Sequence, residues 1–145
     1  MRFGLIPLTA FALAACTPDP APVEAEVQQF VRSYITSTDI NASLNMLEQN
    51  ATSITGEGRI VRGRDAIKDA PSKQIALLPQ LKATVGTIEV TPVGTKHALA
   101  IAPFSIGASA TPQKAMADGA ATLLLVKRDS GWKVLHEHFS FKKPT

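Results

Sequence analysis

The chain has 145 residues, of which 45% are hydrophobic and 19% charged. This is apolar material for one filled globular core plus an appendage, and it excludes a chain that is disordered throughout. The formal net charge of +3 is too small for a phosphate-tracking surface, so no nucleic-acid partner is expected, and the single cysteine leaves no internal disulfide or thiolate cluster to hold a metal or run redox chemistry.

Residues 1–15 read as a secretion signal: Arg2 supplies the positive start and Phe3 to Ala15 a nearly unbroken apolar run, too short to span a bilayer as a mature helix. The closing Leu13-Ala14-Ala15-Cys16 resembles the bacterial lipobox. That resemblance implies cleavage behind Ala15 and acylation of Cys16, giving the chain a lipid membrane as a partner; more than one acyl chain is needed for stable anchoring. An ordinary signal peptide with an incidental cysteine is the alternative. Thr17 in place of aspartate, by resemblance to lipoprotein sorting rules, favours the outer membrane, facing the periplasm, as the place in the cell envelope. Residues 16–22, with Pro18, Pro20 and Pro22, are expected to form an extended tether, and the folded domain is expected over 23–145.

Val23, Val27, Phe30, Val31, Tyr34 and Ile35 recur as one stripe of an amphipathic helix, which points Tyr34 inward. Ser37, Thr38 and Asp39 offer capping side chains to a second, shorter helix marked by Ile40, Leu44 and Leu47. Asn41 and Asn50, each two residues before Ser43 or Thr52, read as solvated helix-end residues. The stretch Thr52 to Arg62 reads as a short hairpin turning at Gly56 and Gly58, and Gly63-Arg64-Asp65-Ala66-Ile67 starts a third helix that Pro71 breaks or kinks. Beyond Pro79, Thr84 to Thr91 reads as one long strand, followed by a turn at Pro92 to Thr95 and a second strand through His97, Leu99, Ile101 and Phe104. Pro103 within that strand implies a bulge, since proline cannot donate to a ladder. Gly107 to Lys114 reads as a loop, Ala121 to Lys127 as a strand, Arg128 to Gly131 as a turn, and Trp132 to Phe141 as the last strand. Helices first and four long antiparallel strands after them make the class α+β.

That order, with the Gly58-Arg59 hairpin, Gly63-Arg64-Asp65-Ala66-Ile67, the Lys127 to Trp132 turn and the strand Trp132 to Ser140, resembles the nuclear transport factor 2-like superfamily and its SnoaL-like branch. The final strand is also similar to that of the calcium/calmodulin kinase association domain. The resemblance implies a strongly curved antiparallel sheet with three N-terminal helices forming a cone-shaped pocket, and homodimers through the outer sheet face. It names no single function, because the fold hosts enzymes, carriers and assembly modules. Ketosteroid isomerase shares the fold, but Thr55 and Gly56 stand where its base would fall and Phe30 near its oxyanion tyrosine, so its mechanism is not expected here.

On the last strand, strict alternation gives Trp132, Val134, His136, His138 and Ser140 one face and Leu135, Glu137, Phe139 and Phe141 the other. Both faces carry large apolar groups, so helices are expected on one and a partner subunit on the other. His136 and His138 share a face, where an imidazole can act as base or ligand donor. A structural role is favoured for His136, while for His138 base and pocket-mouth residue both stand. A two-histidine metal site lacks a third ligand by spacing, and no cofactor is expected. Tyr34 either orients a ligand carbonyl or bonds His138. Asp118, before Gly119 at a strand start, reads as a solvated turn residue with a pocket-facing position as the alternative, and Arg59, Arg62 and Arg64 read as a basic edge that serves an anionic ligand or lipid head groups equally. The expected function is a membrane-anchored module that binds a small, mostly apolar molecule through Tyr34, Trp132, His136, His138 and Ser140. The alternatives are an enzyme of proton transfer with His138 as base and Tyr34 as oxyanion donor, and an envelope assembly module.

Overall fold

Helical spacing of Val27, Val31 and Tyr34 turns one stripe of helix α1 (Pro20–Thr36) onto the sheet, where all three are buried. Burying a valine side chain stabilises by roughly 1.5–3 kcal/mol, so this stripe, more than helix propensity, holds α1 in place. The computed structural model describes residues 20–70, 73 and 78–142. The expected signal sequence, Cys16 and Pro71 lie outside them. α1 begins at Pro20, so residues 20–22 of the expected tether are helical, which fits proline's tolerance in a first turn.

Helix α2 (Ile40–Asn45) is capped by Asp39, whose carboxylate accepts from the backbone N–H groups of Asn41 and Ala42 at 2.8 and 3.2 Å. Leu47 does not extend this helix as expected. It opens strand β1 (Leu47–Ile54), which also takes in Asn50. A tight turn then leads to β2 (Ile60–Arg62), paired antiparallel with β1, and Gly63 precedes α3 (Arg64–Lys68). The single long strand expected over Thr84 to Thr91 is two: β3 (Leu81–Val85) and β4 (Glu89–Val93) lie end to end along one edge of β5 (His97–Ala108). Ile88, in the link between them, is buried, and Gln28 on α1 donates to its carbonyl at 3.1 Å.

Pro103 makes no bulge. It pairs in register with Ala120 and sits beside the gap between β3 and β4, where a backbone donor on β5 has no ladder partner to lose. The register shifts fall at Gly107 instead, and the expected loop from Gly107 to Lys114 is mostly strand, because β6 (Thr111–Arg128) is long enough to pair along all of β5. β7 (Gly131–Phe141) lies between β6 and β1, antiparallel to the first and parallel to the second. The described strands thus form one curved, open sheet in the order β2-β1-β7-β6-β5-β3, with β4 also on β5. The class is α+β, as the order of elements predicts.

β7 carries the decisive local feature. Leu125 pairs with Val134, but Leu124 pairs with His136, leaving Leu135 as an extra residue. A bulge of this kind reverses the alternation beyond it. Val134 shares a face with buried Leu125, and Glu137 with buried Leu123, whereas His136, His138 and Ser140 lie opposite Leu124, Thr122 and Ala120 on the outer face.

Candidate functional site

Between the helices and the inner face of the sheet lies a cavity of about 150 Å³. Its walls are mostly apolar: Ile35 from α1, Ile67 from α3, Ala83 from β3, Phe104 and Ile106 from β5, and Phe139 and Phe141 from β7. The three phenylalanines form an edge-to-face cluster, with Phe104 centred 5.8 Å from Phe139 and 5.5 Å from Phe141. Two glycines make room for it. A Cβ on Gly119 would lie 2.8 Å from the Phe104 ring and 2.4 Å from the Ser140 carbonyl oxygen, and one on Gly56 would lie 2.5 Å from the Phe141 ring.

Three ionisable groups in the wall of this chamber are hydrogen-bonded together. Glu137 is 2% exposed and accepts a hydrogen bond from the Tyr34 hydroxyl, itself 2% exposed. Half-buried Lys73 donates to the same hydroxyl oxygen at 3.2 Å, with its ammonium 4.4 Å from the Tyr34 ring centre. Tyr34 is therefore donor to a carboxylate and acceptor from an amine. Burial, reinforced by the charge and hydrogen bond of Glu137, holds the Tyr34 phenol well above its ordinary titration range. Burial pulls the Lys73 amine down, while the negative charge of Glu137 opposes it. Ser53 and Glu57 also line the cavity, and the Glu57 carboxyl is held low chiefly by a hydrogen bond with Thr55.

Tyr34 is the one residue of the sequence-predicted set that lines this cavity. Its partner is Glu137, not His138. Because of the Leu135 bulge, His136 and His138 are turned to the outer face: His136 shares a 2.7 Å hydrogen bond with Thr52, and His138 is exposed. Ser140 is also exposed, donating to the Ala120 carbonyl at 3.3 Å. Trp132 remains on the inner side of β7 but packs towards α1, donating to Glu26 at 3.2 Å beneath the ammonium of Lys127. Conversely, Phe139, on the strand face opposite the expected ligand residues, is a cavity wall. Asp118 accepts from Ser105 at 2.7 Å in the middle of β6 and does not line the cavity. Arg59 and Arg62 are exposed, and Arg64 is half-buried, donating to the Leu47 carbonyl at 2.5 Å. Among the described residues no group of three His, Cys, Asp or Glu could hold a metal ion.

Sequence reasoning missed Glu137 and Lys73. The signal for Glu137 was its place between Leu135 and Phe139, an acidic residue on an otherwise apolar face, which requires a buried partner. Lys73 follows Pro71 and carries no periodicity that would have pointed it inward.

A family model described as a SnoaL-like domain matches residues 23–144. Among solved structures, a cystatin-like protein of unknown function from Nostoc punctiforme superposes with a TM-score of 0.71 at 9% identity, covering 84% of this chain and 92% of that one. A nuclear transport factor 2-like protein from Novosphingobium aromaticivorans gives 0.69 at 14% identity, with coverages of 86% and 85%. A nuclear transport factor 2-like superfamily protein from Salmonella enterica gives 0.70 at 16%, with coverages of 88% and 96%. Among curated proteins, none matches the sequence.

Proposed function

Since the chain belongs to the SnoaL-like domain family, we propose that it binds a small, mostly apolar molecule in its cavity, with the polar end of the ligand against Tyr34, Lys73 and Glu137. The observation that carries this reading is an aromatic and aliphatic chamber with Tyr34, Lys73 and Glu137 hydrogen-bonded together in its wall, the composition that buries a ligand and fixes its orientation. An apolar cavity of about 150 Å³ accommodates a benzene-sized molecule. Substituted benzenes should raise the melting temperature saturably, and Ala83→Trp, which fills the chamber, should remove the effect. If no compound of such a panel stabilises the protein, the reading fails.

Proton transfer is the second reading, with Glu137 as the base in place of His138. It is favoured by a buried carboxylate hydrogen-bonded to a phenol, an arrangement typical of acid–base sites. Small enolisable ketones should exchange their α-protons in deuterated water faster with the protein than without it. Equal exchange rates for Glu137→Gln and the parent would exclude Glu137 as the base.

The lipid anchor at Cys16 and the homodimer belong to the same proposal. In support of pairing, one cross-strand row of the outer face runs Ile60, Ile54, His138, Thr122 and Ile101, with Ile60 63% and Ile101 41% exposed. The anchor is tested by Cys16→Ser, which should move the protein from the membrane to the soluble fraction.

A further inference from the structure

Lys73 has a nucleophile's position. It lines the cavity, and from its amine two hydrogen bonds in series, through the Tyr34 hydroxyl, end on the buried Glu137 carboxylate. We propose that the cavity captures small apolar aldehydes covalently, as a Schiff base on Nζ of Lys73. This deepens the ligand-binding reading above and rests on it.

An amine attacks a carbonyl only when neutral, and the relay supplies that state. Lys73 passes a proton to the Tyr34 oxygen as Tyr34 passes its own to Glu137, leaving a neutral amine, an intact phenol and a neutral carboxylic acid. Burial around Lys73 favours its neutral amine. The lowered titration range of Lys73 agrees with it. The nitrogen lone pair then bonds to the carbonyl carbon, and the π pair moves to oxygen. That oxygen takes a proton from the new ammonium, giving the carbinolamine. Glu137 returns its proton to the hydroxyl group, which leaves as water while the nitrogen lone pair forms C=N. The product is a protonated imine beside a restored Glu137 carboxylate, so charge is conserved, one water is released and no oxidant is required.

The walls set the class of aldehyde. Apart from Ser37, Ser53 and Glu57, the rest of the wall is apolar, with Ile67, Ala83, Phe104, Ile106 and Phe139 in it, and the volume fits one aromatic ring or a short alkyl chain. Lys127 and Lys133, on β6 and β7, serve as internal controls, because they are held by Glu26 and the Asn45 carbonyl outside the cavity.

The test treats the full chain, purified in detergent, with benzaldehyde and cyanoborohydride at neutral pH, followed by intact mass and peptide mapping. Reductive trapping should add one benzyl group, about 90 Da, at Lys73 at least about tenfold faster than at Lys127 or Lys133. Glu137→Gln should slow labelling of Lys73 alone. Labelling of Lys73 no faster than of the two control lysines overturns the proposal, with no need for any variant to fold. Benzyl alcohol, which has the ring but no carbonyl, separates the two levels. If it stabilises the protein while benzaldehyde is not trapped at Lys73, the covalent step is wrong and the ligand-binding reading stands. If it does not stabilise and benzaldehyde is not trapped, both fall.

Discussion

Removing the Tyr34 hydroxyl should cost more stability than its size suggests. Phenylalanine keeps the ring and its packing on α1, so the change isolates the polar contact. What it leaves behind is Glu137, 2% exposed, whose carboxylate receives its hydrogen bond among the described residues from Tyr34. Stranding a buried neutral group costs about 1–3 kcal/mol and a charged one more, so Tyr34→Phe is expected to lose about 3 kcal/mol at neutral pH. For a domain of this size that corresponds to a fall of roughly 10–15 °C in melting temperature. Urea unfolding followed by circular dichroism reads the loss, and a cycle with Glu137→Leu assigns it. With the carboxylate gone the hydroxyl has no charge to satisfy, so the same substitution should then cost under about 1 kcal/mol, a coupling of about 2 kcal/mol between the two positions. A loss below about 0.5 kcal/mol in the parent, or an equal loss in both backgrounds, would refute the claim that the phenol sustains a buried charge.

Alkaline titration gives an independent check, because Tyr34 is the chain's one tyrosine and its tyrosinate absorbance has no other source. With the folded phenol held above the ordinary 10.0, its contribution to stability is complete below that pH and is lost as pH rises toward the folded value. Lys73 acts with the opposite sign, its contribution being present above 10.5 and lost as pH falls through its lowered folded value. The absorbance is therefore the cleaner readout: it should change only with unfolding, and an ordinary transition near 10 in the folded protein would count against burial. Gly119→Ala places a carbon 2.4 Å from the Ser140 oxygen and should destabilise by about 2–3 kcal/mol in thermal unfolding; a neutral result would mean the sheet yields there. Ile101→Glu, on the exposed outer row, should lower the molecular mass in sedimentation if the outer face pairs copies, and an unchanged dimer mass would place the interface elsewhere.

The α+β architecture was legible because each segment carries its own period: a 3.6-residue stripe in α1 and alternation in the strands. Boundaries failed where tertiary pairing overrode local preference. Leu47 fits the end of a helix or the start of a strand, and β7 beside it decides for the strand. Likewise the small, polar Gly107 to Lys114 segment has the composition of a loop but continues the ladder between β5 and β6. For the site, Tyr34 was legible from helical spacing. Its partner was not, because side-chain alternation is readable only while the strand is regular, and no residue type in Val134-Leu135-His136 announces an extra one. His136 and His138 drew the attention that belonged to the acidic residue between them.

The Leu135 bulge makes the last strand behave like text with a shifted reading frame. Drawing Leu135 into the ladder as an ordinary paired residue, with nothing deleted, would restore strict alternation from Trp132 onward. The downstream tip of the strand would then present imidazoles and a hydroxyl to the chamber and expel the carboxylate with its two phenylalanines. A protein built this way holds two alternative chemistries in one segment, and whether Leu135 stands outside or inside the ladder chooses between them.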